Sequence, residues 1–388
     1  MCGMSIKELQ QAIEDMTTGI AARSAEIEEA RRLPADIAED LARAGLFNIL
    51  KPKEFGGLEC TPREMMDLIA SLAQINASVG WCVMIGATST LAGAYMEKSA
   101  AQEIYGNPGN IHGGVFAPMG KAEDMGDHYM LNGQWQWGSG SANCAWLSGG
   151  AMIFKDGELQ RLENGAPLHR MLFFPASEAE FIDTWHVAGL KGTGSGDFKV
   201  SGLRVPKQRS VGFTTDQPRL ADPLYKFPLF GLLALGVASV TLGNARGALS
   251  EITEVLQSKR TAGGARSQAQ RATVQADIAR ASAALRGAQA LLEKEVETAW
   301  QEASGEDAIS VAARGDLRLA CAHMAEVAAD ICKTAYTLAG GSSVYLSSDL
   351  QRRFRDAHVA TQHLVVAPAT FELAGRILLG EPVDTATL

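Results

Sequence analysis

The sequence has few aromatic residues and no excess of basic ones. Aromatic residues make up 6% of the 388 positions, and 35 Lys and Arg residues stand against 44 Asp and Glu residues, for a formal net charge of −9. Because nucleic-acid binding and anchoring to an anionic membrane both need basic residues on one face, this balance disfavours both. A small molecule is the better expected partner.

The six cysteines occur without a CxxC motif, and the sequence has no His and Cys cluster with metal-ligand spacing. Charged residues also stand where a secretory signal would have its apolar core. We therefore expect a cytoplasmic protein with reduced thiols and no metal site. Two uncharged stretches, 68–96 and 227–245, approach the length of a membrane span, but their Gly, Ser and Thr residues favour buried helices.

Motifs for nucleotide and hydrolase chemistry are also missing. The Gly-rich run 192–196 resembles a dinucleotide fingerprint, but strand-like residues follow it where a helix is required. The stretch 114–121 has one residue too many for a P-loop, and no GxSxG elbow occurs. The sequence therefore predicts no nicotinamide-binding unit and does not favour a hydrolase.

Hydrophobic periodicity divides the chain into an N-terminal helical domain (1–110), a β domain with short Gly-punctuated strands (111–210) and an Ala-rich helical domain (211–388). Two helices are expected to begin the chain, the second starting after Pro34 and ending at Gly45. Four long helices joined by short links predict a C-terminal antiparallel bundle, at 229–259, 267–303, 310–339 and 349–379.

Residues 135–141, Trp-Gln-Trp-Gly-Ser-Gly-Ser, are richer in aromatics and small hydroxyls than a strand requires. Trp137, Gly138 and Ser139 are candidates for a platform under a flat ligand, because indole faces stack on planar rings and Ser hydroxyls reach ring heteroatoms. An isoalloxazine ring fits that description. The alternative is that the tryptophans are core packing and that Gly and Ser end a strand.

A second Gly-rich turn, at Gly340 and Gly341, precedes a helix start that contains Arg355 and Asp356. This segment is either an ordinary link with a solvated charge run or the site of a partly buried charge pair.

The order of these features resembles the acyl-CoA dehydrogenase fold over nearly the whole chain. That fold is mainly α, with an N-terminal helical domain, a central β-barrel or sandwich and a C-terminal four-helix bundle. The resemblance implies a homotetramer that holds a flavin between the β domain and the bundle. It rests on four motifs: Phe55-Gly56-Gly57, Asn132-Gly133-Gln134-x-x-Trp137, Val205-Pro206 and Gly340-Gly341 followed by Arg355-Asp356-Ala357.

The sequence departs from the dehydrogenases where they carry their catalytic base. No acidic residue lies between Asp356 and Glu372 or within 230–242, the two regions where these enzymes place a Glu. A carboxylate base must reach its proton directly, so dehydrogenation lacks its base. Together with Phe116-Ala117-Pro118 and the Gly-Thr-Gly-Ser run 192–195, the chain instead resembles the oxygenase component of two-component flavin monooxygenases.

This resemblance implies that reduced FAD or FMN, supplied by a separate flavin reductase, reacts with O₂ through a C4a-hydroperoxide to hydroxylate an aromatic or heteroaromatic small molecule. Ser139 then lies beside flavin N5 and His363 near the oxygen adduct, as the expected catalytic residues. The other expected cofactor contacts are Trp137, Gly138, Phe116, Trp185, Arg260, Gly340 and Gly341. The expected substrate contacts are Trp81, Ser89 and His112.

Several alternatives stay open at this level. His363 is equally consistent with a helix-bundle histidine bonded to a backbone carbonyl, although a helical His363 that titrates near neutrality would suit proton donation. The substrate is a phenol, an indole, a sulfur heterocycle or an amino-sugar nitrogen. The alternative functions are an acyl-CoA dehydrogenase with an atypical base and a catalytically silent oligomeric scaffold.

Overall fold

A computed structural model describes residues 5–258, 267–385 and 388. Within these ranges, the N-terminal region consists of six α-helices, three of which begin at a residue whose side chain caps them. Ser5 and Thr61 both form capping boxes, in which the hydroxyl accepts the backbone N–H of Glu8 or Glu64 and that Glu accepts the cap's N–H. The helices are α1 (Ile6–Ala22), α2 (Ser24–Ala30), α3 (Ala35–Arg43), α4 (Pro62–Ile75), α5 (Ala77–Ser89) and α6 (Lys98–Tyr105).

The first predicted helix is two helices in the structure. Arg23 leaves helical geometry, with φ −100° and ψ 10°, and separates α1 from α2. Arg31 then ends α2 in the left-handed conformation, at φ 52°. The second predicted helix is confirmed as α3, which follows Pro34. Side-chain periodicity did not reveal the break, because the apolar spacing continues across it.

The central region forms one mixed sheet of eight strands in the order β6-β7-β2-β1-β3-β5-β8, with β4 beside β3. Strands β1 and β3 are parallel, and the other pairs are antiparallel. The strands are β1 (His112–Asp124), β2 (His128–Trp135), β3 (Trp146–Lys155), β4 (Glu158–Leu159), β5 (His169–Pro175), β6 (Glu180–Ile182), β7 (Asp197–Pro206) and β8 (Ser210–Val211). The strand-like character predicted after the Gly-rich run 192–196 is confirmed by β7.

Trp135 anchors the end of β2 in the core of the sheet. Its ring stacks on Phe198 of β7 with centroids 5.2 Å apart, and its indole N–H donates to the Gly150 carbonyl at 2.8 Å. A Cβ at Gly149 would lie 2.4 Å from the indole, so only glycine leaves room for the ring. Trp135 is therefore a core residue, and the chain leaves the sheet immediately after it.

Long helices form the C-terminal region. They are α7 (Leu229–Ser258), α8 (Ala272–Ala303), α9 (Val311–Ala339), α10 (Asp349–Ala360) and α11 (Ala369–Leu378). Helices α4 and α5 pack against α7, so one hydrophobic core joins the N-terminal and C-terminal helices. Two helical segments, Ala77–Ala94 and Leu229–Ser258, are long and apolar enough to cross a membrane, but 89% and 78% of their most apolar windows are buried inside the protein.

The predicted helix over 349–379 is wrong in its middle. Helix α10 ends at Ala360, and residues 361–368 form turns before α11 starts. Pro368 stands at the N-cap of α11 and separates that helix from the turns before it, since proline lacks a backbone N–H and disfavours helical geometry in the residue before it. His363 consequently lies in a turn, and the expectation that it lies on a helix is incorrect.

Candidate active site

Ser139 lies in a loop that follows β2 and is held against the loop that precedes β7. The backbone N–H of Gly138 donates to the Gly196 carbonyl at 3.0 Å, and that of Gly140 donates to the Thr193 carbonyl at 2.8 Å. Trp137 has φ 64°, a left-handed conformation that costs free energy for any residue with a Cβ. The two loops thus form a fixed platform at the ends of neighbouring strands.

The Ser139 hydroxyl belongs to a buried row of hydrogen-bonding side chains. Its Oγ accepts the indole N–H of Trp81, from α5, at 3.1 Å and lies 2.6 Å from the Oγ of Ser195. Ser195 Oγ lies 2.7 Å from Thr193 Oγ1, which donates to the Leu190 carbonyl at 2.8 Å. We call Trp81, Ser139, Ser195 and Thr193 the hydroxyl row.

The structure also brings His363 to this row. The His363 and Trp81 ring centroids are 5.6 Å apart, with the planes at 66° in an edge-to-face contact. The Val365 N–H points at His363 Nδ1 from 3.4 Å, so the ring is not bonded to a backbone carbonyl through that nitrogen. Three residues predicted from different parts of the sequence, Trp81, Ser139 and His363, therefore meet at one place.

His363 is neutral near pH 7. Burial, together with the nearby Arg318 guanidinium, lowers the pKa of His363 to about 4. This differs from the expectation that its imidazole titrates near neutrality. A neutral imidazole donates or accepts a hydrogen bond, which suits it to orienting a polar group more than to delivering a proton from an imidazolium.

Asp356 anchors the loop that carries the row. Its carboxylate accepts the backbone N–H of Leu190 at 2.5 Å, and Leu190 has a left-handed φ of 50°. Asp356 is only 3% exposed, and burial raises its pKa to about 6. The sequence suggested a charge pair between Arg355 and Asp356. In the structure, Arg355 pairs with Glu28 instead, at 2.5 Å.

Trp137 and Trp185, two tryptophans at the platform, differ in exposure. Trp137 is 62% exposed, which is unusual for a tryptophan, whereas Trp185 is half-buried and its indole N–H donates to the Leu190 carbonyl at 3.2 Å. The exposed indole of Trp137 can stack on a flat heteroaromatic ring such as isoalloxazine. The neighbouring Ser139 hydroxyl can bond a heteroatom at the edge of that ring. These residues of the chain therefore fit a flavin.

Phe116 packs in an aromatic cluster that joins the sheet to the helices. Its ring lies 5.3 Å from Phe230 of α7 and 6.2 Å from Phe213. All three rings are half-buried, as are Ile85 and Ser89 on α5, whose other residues are buried. Helix α5 packs on both β1 and α7.

His112 is the first residue of β1 and contacts the end of α6. Its Nε2 lies 2.9 Å from the Ile104 carbonyl, its ring packs on Tyr105 at 4.7 Å, and burial lowers its pKa to about 4. It lines a small cavity of about 10 Å³ with Cys82 and Ser139. Its Nδ1 is buried without a hydrogen-bond partner among the described residues. His112 thus lies beside Ser139 across this cavity and packs on Tyr105, a member of the apolar cluster that Phe116 also packs against.

Among the described residues, Gly340 and Gly341 make no contact with the hydroxyl row. They form an exposed turn at the end of α9, where Gly340 has φ 63°, and in the described part of the chain no hydrogen bond joins either of them to Ser139. Arg260 lies outside the described residues. Of the predicted cofactor contacts, Trp137, Gly138, Ser139 and Trp185 are close together, and Phe116 lies on β1.

Sequence reasoning missed Thr193 and Ser195 as site residues. No helix follows the Gly-Thr-Gly-Ser run, as the sequence predicts, and β7 begins at Asp197. The two hydroxyl side chains within this Gly-rich run were the sequence feature that could have indicated a polar site. Only the pairing of β2 with β7 brings them to Ser139.

Comparisons with known proteins agree with this architecture. The family models for the acyl-CoA dehydrogenase N-terminal domain and C-terminal domain match residues 6–104 and 235–368. The structure superposes on the HsaA monooxygenase from M. tuberculosis with a TM-score of 0.90 and 24% identity, covering 99% of this chain and 100% of that one. The fold predicted from the sequence is confirmed.

Two curated relatives are similar over most of their length. Indole-3-acetate monooxygenase of Pseudomonas putida is 33% identical over 374 residues, which cover 95% of this chain and 94% of that protein. The oxygenase component of an FADH₂-dependent resorcinol hydroxylase of Rhizobium sp. is 29% identical over 371 residues, which cover 91% and 89%. With this similarity, and without an acid where dehydrogenases carry their base, the chain belongs to the flavin-dependent monooxygenases that share the acyl-CoA dehydrogenase fold.

Proposed function

We propose that this chain is the oxygenase of a two-component system that hydroxylates an aromatic or heteroaromatic small molecule with reduced flavin from a separate reductase. The observation that carries the proposal is the meeting of Trp81, Ser139 and His363 beside the exposed indole of Trp137. The chain offers hydrogen-bonding groups and a stacking surface there, but no carboxylate from 357–371 that would remove a substrate proton.

Each residue has a proposed role at the flavin. Trp137 stacks on the ring, Gly138 lets the backbone approach it and Ser139 binds flavin N5. His363 is a neutral hydrogen-bonding group on the side where oxygen reacts. When bound, the reduced flavin supplies the electrons that activate O₂, and the buried Trp81 helps to exclude water from that place. Phe116 and Trp185 border the ring.

The remaining predicted contacts concern the phosphate end of the cofactor and the substrate. We assign Arg260, Gly340 and Gly341 to the phosphate end of FAD or FMN. We assign Ser89 to the substrate side, because it is half-buried on the same face of α5 as Ile85. His112 is a weaker candidate for substrate binding, since its Nε2 is already bonded to the Ile104 carbonyl.

An indole ring is the best first candidate for the substrate. The Pseudomonas putida relative is named for indole-3-acetate and the Rhizobium relative for resorcinol, which are both aromatic. The half-buried rings of Phe116, Phe213 and Phe230 provide apolar surface for such a ring. Edge-to-face packing among aromatic rings also favours an aromatic ligand there.

A cytoplasmic homotetramer is the proposed assembly. Val344, Tyr345 and Leu346, in and just after the Gly340 turn, are each largely exposed, and contiguous exposed apolar residues often mark an interface. The five cysteines in the described part of the chain are unpaired, as expected in a reducing compartment. Light scattering after size-exclusion chromatography measures the assembly directly.

Anaerobic titration with reduced FAD or reduced FMN, followed by mixing with O₂ and indole, tests the proposal. We expect tight binding of reduced flavin, formation of hydroxylated indole and little free H₂O₂. Bleaching of bound oxidised flavin by an acyl-CoA without O₂ would instead show a dehydrogenase. Binding without any reaction of flavin or substrate would show a silent scaffold.

The variant Ser139→Ala locates the chemistry in that experiment. Losing a hydrogen bond to a charged or polarised group costs about 1.5–3 kcal/mol, so we expect about a tenfold to hundredfold increase in the ratio of H₂O₂ to product. Ser148→Ala is the matched control, because Ser148 is also buried but, among the described residues, its hydroxyl bonds only the Gly113 carbonyl. Equal ratios in the two variants would contradict the role of Ser139.

A further inference from the structure

The hydroxyl row has a defined direction, which follows from counting its hydrogens. A backbone carbonyl only accepts, so the Thr193 hydroxyl hydrogen must point to the Leu190 carbonyl, 2.8 Å away. The Ser195 hydroxyl, 2.7 Å from Thr193, must then donate to Thr193 Oγ1. Any other arrangement would bring two oxygens to this distance with no hydrogen between them.

The same count fixes the state of Ser139. Since the hydrogen of Ser195 points to Thr193, the 2.6 Å contact between Ser139 and Ser195 requires Ser139 to donate. The indole nitrogen of Trp81 only donates, so Ser139 Oγ also accepts one hydrogen bond, at 3.1 Å. Ser139 has then used its hydrogen and one lone pair, and one lone pair remains.

An oxygen with only a lone pair left is an acceptor toward a ligand. Flavin N5 carries a hydrogen in the reduced state and is a bare acceptor in the oxidised state. Ser139 can therefore bond reduced N5 without any rearrangement, whereas oxidised N5 would face it with two acceptors opposed. Two opposed buried acceptors leave both without a partner, which is unfavourable.

We infer that Ser195 and Thr193 are positioning residues that hold Ser139 as a hydrogen-bond acceptor and so make the site select reduced over oxidised flavin, an inference that rests on the proposed contact of Ser139 with N5. The direction of the row originates at the Leu190 carbonyl. Asp356 fixes that carbonyl by binding the Leu190 N–H at 2.5 Å, and the Trp185 indole N–H bonds the same carbonyl.

Removing the hydroxyl of Thr193 should reverse the row. In Thr193→Val, which has nearly the same shape, the Ser195 hydroxyl loses its acceptor and is free to donate to Ser139. The Ser139 hydroxyl can then donate to oxidised N5. Ser195→Ala frees the Ser139 hydrogen directly, while Thr193→Ser keeps the hydroxyl and should keep the direction.

The test is the ratio of the dissociation constants of oxidised and reduced flavin, measured anaerobically without substrate or turnover. In Thr193→Val and Ser195→Ala we expect the ratio to fall about tenfold, mainly because oxidised flavin binds better, and in Thr193→Ser we expect the wild-type ratio. Circular dichroism and thermal unfolding establish that each variant is folded.

The other outcomes overturn the inference in distinguishable ways. A parallel weakening of both flavin states in Thr193→Val and Ser195→Ala would show a merely structural role. An unchanged ratio in these variants, with a changed ratio in Ser139→Ala, would refute the direction of the row but keep Ser139 at N5. An unchanged ratio in Ser139→Ala as well would refute both the proposed contact of Ser139 with N5 and the direction of the hydroxyl row.

Discussion

The indole N–H of Trp81 donates a 3.1 Å hydrogen bond to the hydroxyl of Ser139, joining α5 to the loop after β2. Both residues are buried, and the Trp81 ring also makes an edge-to-face contact with the imidazole of His363. A single side chain therefore connects the hydroxyl row to the turn between α10 and α11. Replacing Trp81 should affect the flavin site more than the fold.

The variant Trp81→Phe tests this connection. Phenylalanine keeps an aromatic contact with His363 but removes the hydrogen bond to Ser139, which costs about 1 kcal/mol of stability. Because Ser139 is then held from one side only, we expect reduced flavin to bind about threefold to tenfold more weakly and more H₂O₂ to be released. Binding titration and an H₂O₂ assay measure both effects.

Trp135→Phe is the matched control for that variant. It also removes an indole hydrogen bond, to the Gly150 carbonyl, but in the core of the sheet. We expect a loss of stability of about 1–3 kcal/mol with little change in flavin affinity. If both variants weaken flavin binding equally, the effect of Trp81 is general destabilisation.

Trp137 should contribute to flavin binding and little to the stability of the fold. Its side chain is 62% exposed and its φ is 64°, so Trp137→Gly removes little packing and relieves a left-handed backbone. We expect the free energy of unfolding to change by less than about 1 kcal/mol and the flavin dissociation constant to rise about tenfold. Phe181→Ala, at an exposed aromatic on β6, should change neither; unchanged flavin affinity in Trp137→Gly would exclude stacking.

His363 should act as a neutral ring. Burial and Arg318 lower its pKa to about 4, so above pH 6 the imidazole carries no charge. We expect His363→Gln to slow the reaction of bound reduced flavin with O₂ by the same factor at every pH from 6 to 8. A stopped-flow pH series measures this, and a loss that disappears toward pH 8 would show that the imidazolium is the active form.

Asp356 should make the protein less stable as the pH rises. Burial raises its pKa from 3.8 to about 6, so between these values the unfolded chain loses this proton before the folded protein does. The contribution of Asp356 to the free energy of unfolding is therefore present below about pH 4 and is lost as the pH rises through 6. Asp356→Asn should remove this fall, because its amide oxygen still accepts the Leu190 N–H.

Urea unfolding from pH 4 to pH 7 measures the difference between wild type and Asp356→Asn. The exposed Glu39→Gln variant on α3 is the control and should follow the wild-type curve. A difference between wild type and Asp356→Asn that stays constant over this range would contradict the raised pKa.

Local chemistry in the sequence determined the order of helical, β and helical regions. The helical period of α7 and the capping boxes at Ser5 and Thr61 depend on residues within a few positions of each other. The same holds for the absence of an acid between Asp356 and Glu372, which separates a monooxygenase from a dehydrogenase. Trp81, Ser139 and His363 were also each chosen from the sequence, through the family motifs.

Only the tertiary structure decided how these residues act together. The neutral state of His363 and the lowered pKa of His112 both depend on burial that no local pattern contains. The direction of the hydroxyl row depends on distances between residues of α5, the β2 end and the β7 start. A hydrogen-bond direction is a property of the whole chain of partners, so it follows only when all of them are in place.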